Sequence, residues 1–520
     1  MRPSSPLARL AAGAMVSLAL VAPAVSAAQQ REPFPGLDAY VRSALQQWEV
    51  PGAAIAIVRN DSVIYARGYG VRDLGTSAPV TAQTVFAIGS LSKAFTATAA
   101  AMLVDEGRLS LDAPVTTYLP EFRLADPATR DVTLRDLLSH RTGTARSELA
   151  WYGSAADRAE LVRRAQYLPV AAPFRSAFIY NNIMYLAAGQ VVGRVAGTSW
   201  DDVVRTRIFT PLGMTSTGTT IRDLARQADV ATPHAAVGAR VVTIPWRNAD
   251  NIGPAGSINS NVVDMAQWVR LQLGAGVYGG HQLVSRRLSA EMHSPQTVIP
   301  LQGLAKRFEP VAHLAAYGMG WVLNDHGGRL VVKHTGGIDG MSSLVALLPE
   351  ERFGFVILTN LDGTFLPSAL ALRLIDLQLG RPTRDWSKEL RGVVDSVESE
   401  MRAAQEATDS RRLIGTRPSL PLSAYADTYA DSAYGQLTVR EEGGKLFFAF
   451  GPSWHGELEH WHLDTFRARL TTPALPFVTL HFRLDPTGGV SDVQMDAASG
   501  GSATFRRVRE ARRAVTRSGN

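Results

Sequence analysis

Ser90 and Lys93 have the types and the spacing that nucleophilic chemistry requires, because three positions span one helical turn. Residues 94–106 are rich in alanine and contain neither glycine nor proline before Gly107, which predicts a helix that ends there. Ser90 would then lie at the first turn, where free backbone N–H groups and the helix dipole favour a developing oxyanion. A lysine enclosed by apolar side chains loses its proton more readily, so Lys93 could accept the proton of the Ser90 hydroxyl.

The pair alone is a weak signal. Ser-x-x-Lys tetrapeptides arise by chance, and a helix-capping serine followed by a solvated lysine is the commoner explanation. Two further motifs change that balance: Tyr180–Asn182 precedes a helical pattern, and residues 334–337 (His-Thr-Gly-Gly) follow an apolar strand pattern. A hydroxyl nucleophile needs a base, a proton shuttle, an amide that holds the substrate and oxyanion donors. The three motifs together contain all of these groups.

In type and order, the three motifs resemble those of the serine β-lactamase-like and penicillin-binding-protein-like hydrolases. The resemblance is to the branch of class C β-lactamases, D-stereospecific peptidases and esterases. It covers about residues 35–380 and includes residues 137–143 and 254–257 around the motifs. It implies an α/β fold with an antiparallel sheet flanked by helices and an all-helical subdomain. A small all-β domain, of a kind often appended to such enzymes, is expected to follow.

The resemblance also implies a role for each motif residue. Ser90 attacks a carbonyl and becomes acylated, while Lys93 and Tyr180 share the roles of base and proton shuttle, with the choice between them open. Asn182 binds Lys93 and the substrate amide. The other implied substrate-binding residues are His334, Thr335 and Gly336, and the backbone N–H groups of Ser90 and Gly337 form the oxyanion hole. Water then releases the acyl group, and neither a metal nor another cofactor is expected.

His334 departs from the pattern of many β-lactamases, which have a lysine there whose fixed charge binds a substrate carboxylate. Histidine is mostly neutral near pH 7, and Lys333 is predicted to point to the opposite face of the strand. We therefore expect an esterase or a D-amino-acid peptidase or amidase that acts on a small amide, peptide or ester. The alternatives are a β-lactamase or DD-carboxypeptidase, and a non-catalytic protein that binds penicillin or peptidoglycan fragments.

The N-terminal residues predict export. Arg2 and Arg9 precede an apolar segment, residues 10–22, and small residues follow at 25–28. This pattern is typical of a secretory signal peptide. The apolar segment is too short for a membrane-spanning helix. The chain contains no cysteine, which excludes thiol nucleophiles, disulfides and thiolate metal sites. We expect a bacterial periplasmic or extracellular protein with no stable membrane insertion.

The net charge of +6 is concentrated at the two ends of the chain. The signal peptide carries two arginines, and residues 506–520 contain six arginines but one glutamate, so the rest of the chain is close to neutral. Nucleic acid is therefore not an expected partner. His455, His460 and His462 lack the spacing of a complete ligand set, and a metal site is not expected there.

Shifts in composition divide the chain. We predict a signal peptide at 1–28, a serine hydrolase domain at 33–382, a charged helical linker at 383–415, a small β-rich domain at 416–509 and a basic disordered tail at 510–520. A chain that ends near Gly380 is expected to fold. Periodicity predicts helices over 36–49, 184–195, 262–273 and 367–379, and strands over 53–58, 63–66, 330–333, 343–348 and 353–358. Trp151 and Tyr152 are candidate pocket residues.

Overall fold

The computed structural model describes residues 32–382, 384–470, 477–497 and 501–508. The predicted signal peptide and basic tail lie outside these residues. The largest sheet has nine strands, and each neighbouring pair is antiparallel. In spatial order the strands are Thr297–Val298, Ala315–Tyr317, Val322–His326, Arg329–Ile338, Met341–Leu348, Phe353–Thr359, Gly52–Arg59, Ser62–Asp73 and Ala78–Pro79.

Both faces of this sheet are buried. In the strand Gly52–Arg59, Ala54 and Ala56 belong to one hydrophobic cluster, whereas Ile55 and Ile57 belong to another. Successive side chains of a strand point to opposite faces, so a strand covered on both sides must be apolar throughout. This requirement explains the uninterrupted apolar run in the sequence.

Helices cover the two faces. The helices Ser92–Asp105, Asn182–Ala196 and Val262–Leu273 contribute to one cluster, and the helices Leu37–Gln47, Leu366–Gln378 and Trp386–Ser410 contribute to the other. The shorter α-helices are Leu134–Leu138, Arg158–Arg164, Trp200–Val204, Thr210–Leu212, Gly253–Gly256, Arg286–Met292 and Gly303–Phe308. The α/β sandwich with its helical subdomain agrees with the fold predicted from the sequence.

Two details differ from the sequence-based expectation. The apolar residues 85–88, just before Gly89 and Ser90, have the pattern of a strand. They form only a two-residue strand, Phe86–Ala87, which pairs with Asn259–Ser260 and does not join the large sheet. The His-Thr-Gly-Gly motif does not follow its strand, because the strand continues through it as Arg329–Ile338. The motif therefore has the fixed geometry of a strand rather than that of a loop.

The C-terminal region forms a closed eight-stranded barrel with its own hydrophobic core. Its strands are Asp427–Asp431, Gly435–Glu442, Lys445–Phe450, Trp454–His462, Thr465–Arg469, Phe477–Leu484, Val490–Ala497 and Ser502–Arg507. The first strand pairs with the last, which leaves no open edge. The all-β prediction is confirmed, although sequence patterns predict only three of these strands individually, at 435–440, 445–450 and 477–484.

The helix Trp386–Ser410 precedes the barrel and begins as part of the first domain. Trp386 is fully buried, and its indole N–H donates to Asp376 Oδ2 at 2.6 Å.

At the other end of the barrel, Arg506 and Arg507 belong to the closing strand, and Arg507 forms an ion pair with Asp427. These two arginines are therefore part of the folded barrel, within the range predicted for the β-rich domain. Among the described helices, none has the length and apolar composition needed to cross a membrane.

Candidate active site

A close approach of two backbones positions Ser90. Gly89 has a φ of +52° and begins the 3₁₀ turn Gly89–Leu91, which leads directly into the helix Ser92–Asp105. A Cβ at Gly89 would lie 2.8 Å from the backbone nitrogen of Gly337, and a Cβ at Gly336 would lie 2.0 Å from the carbonyl oxygen of Ile88. Glycine at both positions therefore allows the serine turn to contact the strand Arg329–Ile338.

A helix start positions the second motif. Asn181 caps the helix Asn182–Ala196, and its side-chain oxygen accepts the Ile183 N–H at 2.8 Å. Asn182 is thus the first helical residue, and Tyr180 lies in extended chain just before the cap. The structure brings both side chains to Ser90 and Lys93, although they are about 90 positions away in the sequence.

Ser90 Oγ lies within hydrogen-bond distance of two groups. Tyr180 Oη is 2.7 Å from it and Lys93 Nζ is 3.0 Å from it. Lys93 Nζ is also 2.7 Å from Asn182 Oδ1 and 2.8 Å from the carbonyl oxygen of Ala255. These distances join the serine, the amine, the phenol and the carboxamide in a single network, which we call the reactive cluster (Ser90, Lys93, Tyr180 and Asn182).

Burial shifts the pKa values of Lys93 and Tyr180 in opposite directions. Lys93 is completely buried, and desolvation holds its pKa well below the usual value, with the carboxylate of Glu148 opposing the shift. Desolvation raises the pKa of Tyr180, although its hydrogen bond with Ser90 opposes that shift. The environment therefore favours a neutral amine at Lys93 and a protonated phenol at Tyr180.

Contacts of the neutral amine determine where its lone pair points. Asn182 Oδ1 and the Ala255 carbonyl oxygen can only accept hydrogen bonds, so they take the two N–H bonds of a neutral Lys93. The remaining contact, to Ser90 Oγ, then faces the lone pair. Ser90 can donate its proton to Lys93 while its oxygen accepts the Tyr180 O–H.

The strand Arg329–Ile338 supplies the third motif. Its neighbour Val322–His326 pairs with it only as far as Lys333, so residues 334–338 have a strand partner on one side within the described chain. Thr335 and Gly337 are exposed there and line the cavity, whereas Gly336 is buried against the serine turn. The predicted oxyanion donors, the backbone N–H groups of Ser90 and Gly337, thus lie on adjoining segments.

His334 is buried and uncharged. Its Nε2 accepts the Tyr317 hydroxyl at 3.0 Å, and its Nδ1 donates to the Thr335 carbonyl oxygen at 2.6 Å. Desolvation lowers the pKa of His334 to about 3. Lys333 forms an ion pair with Glu309 instead of reaching the reactive cluster. A substrate carboxylate would therefore meet no cation from this strand.

Sequence reasoning did not assign a role to several residues at the site. Glu148 accepts a hydrogen bond from Asn182 Nδ2 at 3.2 Å, which fixes the amide with its oxygen towards Lys93, and Arg146 pairs with Glu148 at 2.6 Å. His140 lies against the Tyr180 ring, with centroids 4.3 Å apart. In the sequence, His140 ends a short helical pattern within the family-like residues 137–143, and Arg146 and Glu148 lie in a loop-rich segment without periodicity; neither signal indicates a role at the site.

The reactive cluster opens into a cavity of about 1070 Å³. Trp151 and Tyr152 line it, as the sequence suggested, and so do Phe178 and Tyr317. Two parts of the chain that are remote in sequence complete the cavity, and we call them together the outer wall: Leu301, Ala305 and Phe308 from the first domain, and Trp454 from the barrel. Among the described residues, no three histidine or acidic side chains come together as metal ligands.

The chain belongs to the β-lactamase family, whose model matches residues 37–379. Residues 412–508 match a domain of unknown function, DUF3471, which covers the barrel. The unguisins hydrolase ungD of Aspergillus violaceofuscus is 31% identical over 491 residues, which are 86% of this chain and 85% of the relative. Penicillin-binding protein 4 of Amycolatopsis lactamdurans is 32% identical over 60% of this chain and 81% of the relative.

Solved structures extend the likeness to both domains. The octameric penicillin-binding protein homologue from Pyrococcus abyssi superimposes with a TM-score of 0.61 at 22% identity, covering 88% of this chain and 97% of that chain. At this identity the match establishes the fold alone. The family model and the sequence relatives therefore place this chain in the β-lactamase and penicillin-binding-protein family, in which one of the named relatives is a hydrolase.

Proposed function

We propose that this protein is a serine hydrolase that cleaves a small amide, peptide or ester through an acyl-Ser90 intermediate. The observation that carries the proposal is the position of Ser90 Oγ between the buried amine of Lys93 and the hydroxyl of Tyr180. We further propose that Lys93 is the base, because the depressed pKa of Lys93 and its two carbonyl acceptors leave its lone pair directed at Ser90.

In this mechanism the Ser90 proton moves to Lys93 Nζ as Oγ bonds to the carbonyl carbon. The oxyanion accepts hydrogen bonds from the backbone N–H groups of Ser90 and Gly337. Tyr180 then relays the proton from Lys93 to the leaving amine or alcohol as the bond between the leaving group and the carbonyl carbon breaks. Water gives a proton to Lys93 as it attacks the acyl carbonyl carbon, and the bond between that carbon and Ser90 Oγ then breaks. The acid product leaves, and the proton passes from Lys93 back to Ser90 Oγ. Asn182 holds the amine and contacts the substrate amide.

The protein is proposed to act after export, on the strength of the signal-peptide pattern at residues 1–28. His334 and its low pKa favour an esterase, peptidase or amidase over a β-lactamase or DD-carboxypeptidase, because a neutral imidazole attracts a carboxylate weakly. A short-chain nitrophenyl ester should therefore be hydrolysed much faster than a chromogenic cephalosporin. The reverse ranking would favour the β-lactamase alternative.

Labelling with an active-serine phosphonate tests the nucleophile. Wild type and Ser154→Ala, a serine outside the reactive cluster, should be labelled, whereas Ser90→Ala should not. Unchanged labelling of Ser90→Ala would place the nucleophile elsewhere. Repeated turnover of the nitrophenyl ester separates an enzyme from a binding protein, because the latter would release one equivalent of nitrophenol and then stop.

A further inference from the structure

His140 holds the chain on both sides of Tyr180. Its carbonyl oxygen accepts the Ile179 N–H at 2.8 Å, and its Nδ1 accepts the Asn181 N–H at 3.2 Å. Its ring also lies 4.3 Å from the Tyr180 ring, measured between centroids. One residue thus contacts the backbone before Tyr180, the backbone after it and its side chain.

The local backbone makes these simultaneous contacts possible. The helix Leu134–Leu138 ends two residues earlier, and His140 has a φ of +57°, in the left-handed region. Histidine, asparagine and aspartate enter this region more readily than most residues. The turn directs both the carbonyl group and the imidazole of His140 towards residues 179–181.

The hydrogen bonds of His140 also define its protonation. Because Nδ1 accepts from Asn181, the ring proton lies on Nε2, which is buried and has no hydrogen-bond partner among the described residues. The rings of Tyr317 and Tyr185 pack against the His140 ring, with centroid-to-centroid distances of 4.7 and 5.0 Å. Desolvation holds the pKa of His140 well below its usual value, so Nδ1 stays available as an acceptor. An unpartnered buried nitrogen is uncommon and indicates that the other contacts of this ring outweigh its cost.

We propose that His140 is a positioning residue that fixes the Tyr180 hydroxyl against Ser90, an inference that rests on the function proposed above. A phenol 2.7 Å from the nucleophile can serve a proton transfer only while its ring and backbone keep that geometry. Displacement of a catalytic group by about 1 Å can cost on the order of 10²-fold in rate. His140 would therefore affect turnover without contacting the substrate.

Two substitutions of His140 test whether its hydrogen-bond acceptor, rather than its side-chain volume alone, is needed for turnover. His140→Asn places Oδ1 near the position of Nδ1 and tolerates the left-handed conformation, whereas His140→Leu lacks an acceptor. We expect His140→Leu to lower kcat for the nitrophenyl ester about 10²-fold with little change in KM. His140→Asn should recover most of the rate, to within roughly tenfold of wild type. Equal losses in both variants, after correction for the folded fraction measured by thermal unfolding, would overturn the role of Nδ1.

A double-mutant cycle with Tyr180→Phe tests whether His140 acts through Tyr180. Tyr180→Phe alone should lower kcat on the order of 10²–10³-fold. Adding His140→Leu to it should lower kcat by no more than about threefold further, because the hydroxyl being positioned is already absent. Full multiplication of the two effects would show a general structural role and overturn the proposal. If His140→Leu does not fold, the same cycle with His140→Gly, which lacks the acceptor and tolerates the left-handed conformation, gives the same decision.

A failure of the positioning role of His140 can be distinguished from a failure of the proposed function. Full turnover by Ser90→Ala and Tyr180→Phe would remove the serine mechanism itself. Loss of turnover in those two variants, combined with multiplicative effects of the His140 variants, would leave the mechanism intact and remove only the positioning role.

Discussion

The reactive cluster and the outer wall border the same cavity but are built in different ways. In the cluster, Ser90, Lys93 and Asn182 are joined by hydrogen bonds of 2.7–3.0 Å, and Lys93 is fully buried. In the outer wall, Phe308 stacks on Phe365 at 4.1 Å, and Trp454 packs into the barrel core.

The difference separates two kinds of sensitivity. Directional contacts lose most of their value when an atom moves or is removed, whereas apolar packing tolerates replacement by groups of similar volume. We therefore expect substitutions in the cluster to stop turnover and changes in the outer wall to alter which substrates are accepted. The predictions below test this division, beginning with the largest expected effect.

Two lysines provide the sharpest test. Lys93→Met should lower kcat on the order of 10³-fold, because it removes the proposed base while keeping an unbranched apolar side chain. Lys333→Met is the matched control, since Lys333 pairs with Glu309 and lies outside the cluster; its kcat should stay within about threefold of wild type. Steady-state kinetics on a nitrophenyl ester measures both. Comparable losses in the two variants would contradict the assignment of Lys93 as the base.

Local patterns were sufficient to predict the elements around the motifs. The stop at Gly107, the helix after Asn181 and the strand that leads to His334 all arise from short-range signals in the sequence, although that strand continues through His334 to Ile338. The order of motifs then indicated the family, because three motifs in sequence are far more specific than any one of them. Convergence on Ser90 could be expected only through that resemblance.

The outer wall and the residues supporting the cluster were not predictable in this way. Trp454 lies in a barrel strand more than 350 residues from Ser90, and no local signal indicates that it lines the same cavity. Glu148 belongs to a loop-rich segment whose charge could equally have been solvated. Their roles depend on tertiary contacts, which periodicity and capping signals do not encode.

Truncation tests how the outer wall is attached. A chain ending at Arg411 keeps the helix Trp386–Ser410, whereas one ending at Gly380 also removes Trp386 and leaves Asp376 without its indole partner. Composition alone predicts that a chain ending near Gly380 folds, and the packing of Trp386 predicts that such a chain is less stable. The shorter chain should be about 3–5 kcal/mol less stable to urea than the longer one, comparable to deletion of a buried tryptophan. Equal stabilities would show that the helix contributes little to the first domain.

The longer truncation also tests selectivity. Without Trp454 it should hydrolyse a small nitrophenyl ester at a rate within roughly threefold of the full chain, since apolar packing contributes little to the chemical step. Its kcat/KM for an ester with a bulky aromatic acyl group should fall about tenfold, the value of one lost apolar contact. An equal loss for both esters would mean that the barrel supports the cluster itself.

The titration of Lys93 predicts how stability and rate change with pH. Because the folded pKa of Lys93 is depressed, the amine is neutral in the folded chain but takes up a proton on unfolding at any pH between its folded and unfolded pKa values. In that window the unfolding free energy should rise with pH by up to about 1.4 kcal/mol per unit relative to Lys93→Met. The kcat/KM of wild type should rise through the same folded pKa. Parallel stability profiles for wild type and Lys93→Met would contradict the shift.

His334 lines the same cavity, and replacing it should change the preference for charged substrates. His334→Lys puts a cation where the neutral imidazole now contacts Tyr317, so the ratio of kcat/KM for a cephalosporin to that for a nitrophenyl ester should rise about tenfold. His334→Gln, neutral and able to bond Tyr317, should leave the ratio near that of wild type. The gain is limited because the ammonium group must be desolvated at a position that is only 4% exposed, close to Lys93. A rise with glutamine as large as that with lysine would mean that side-chain shape, rather than charge, determines the preference.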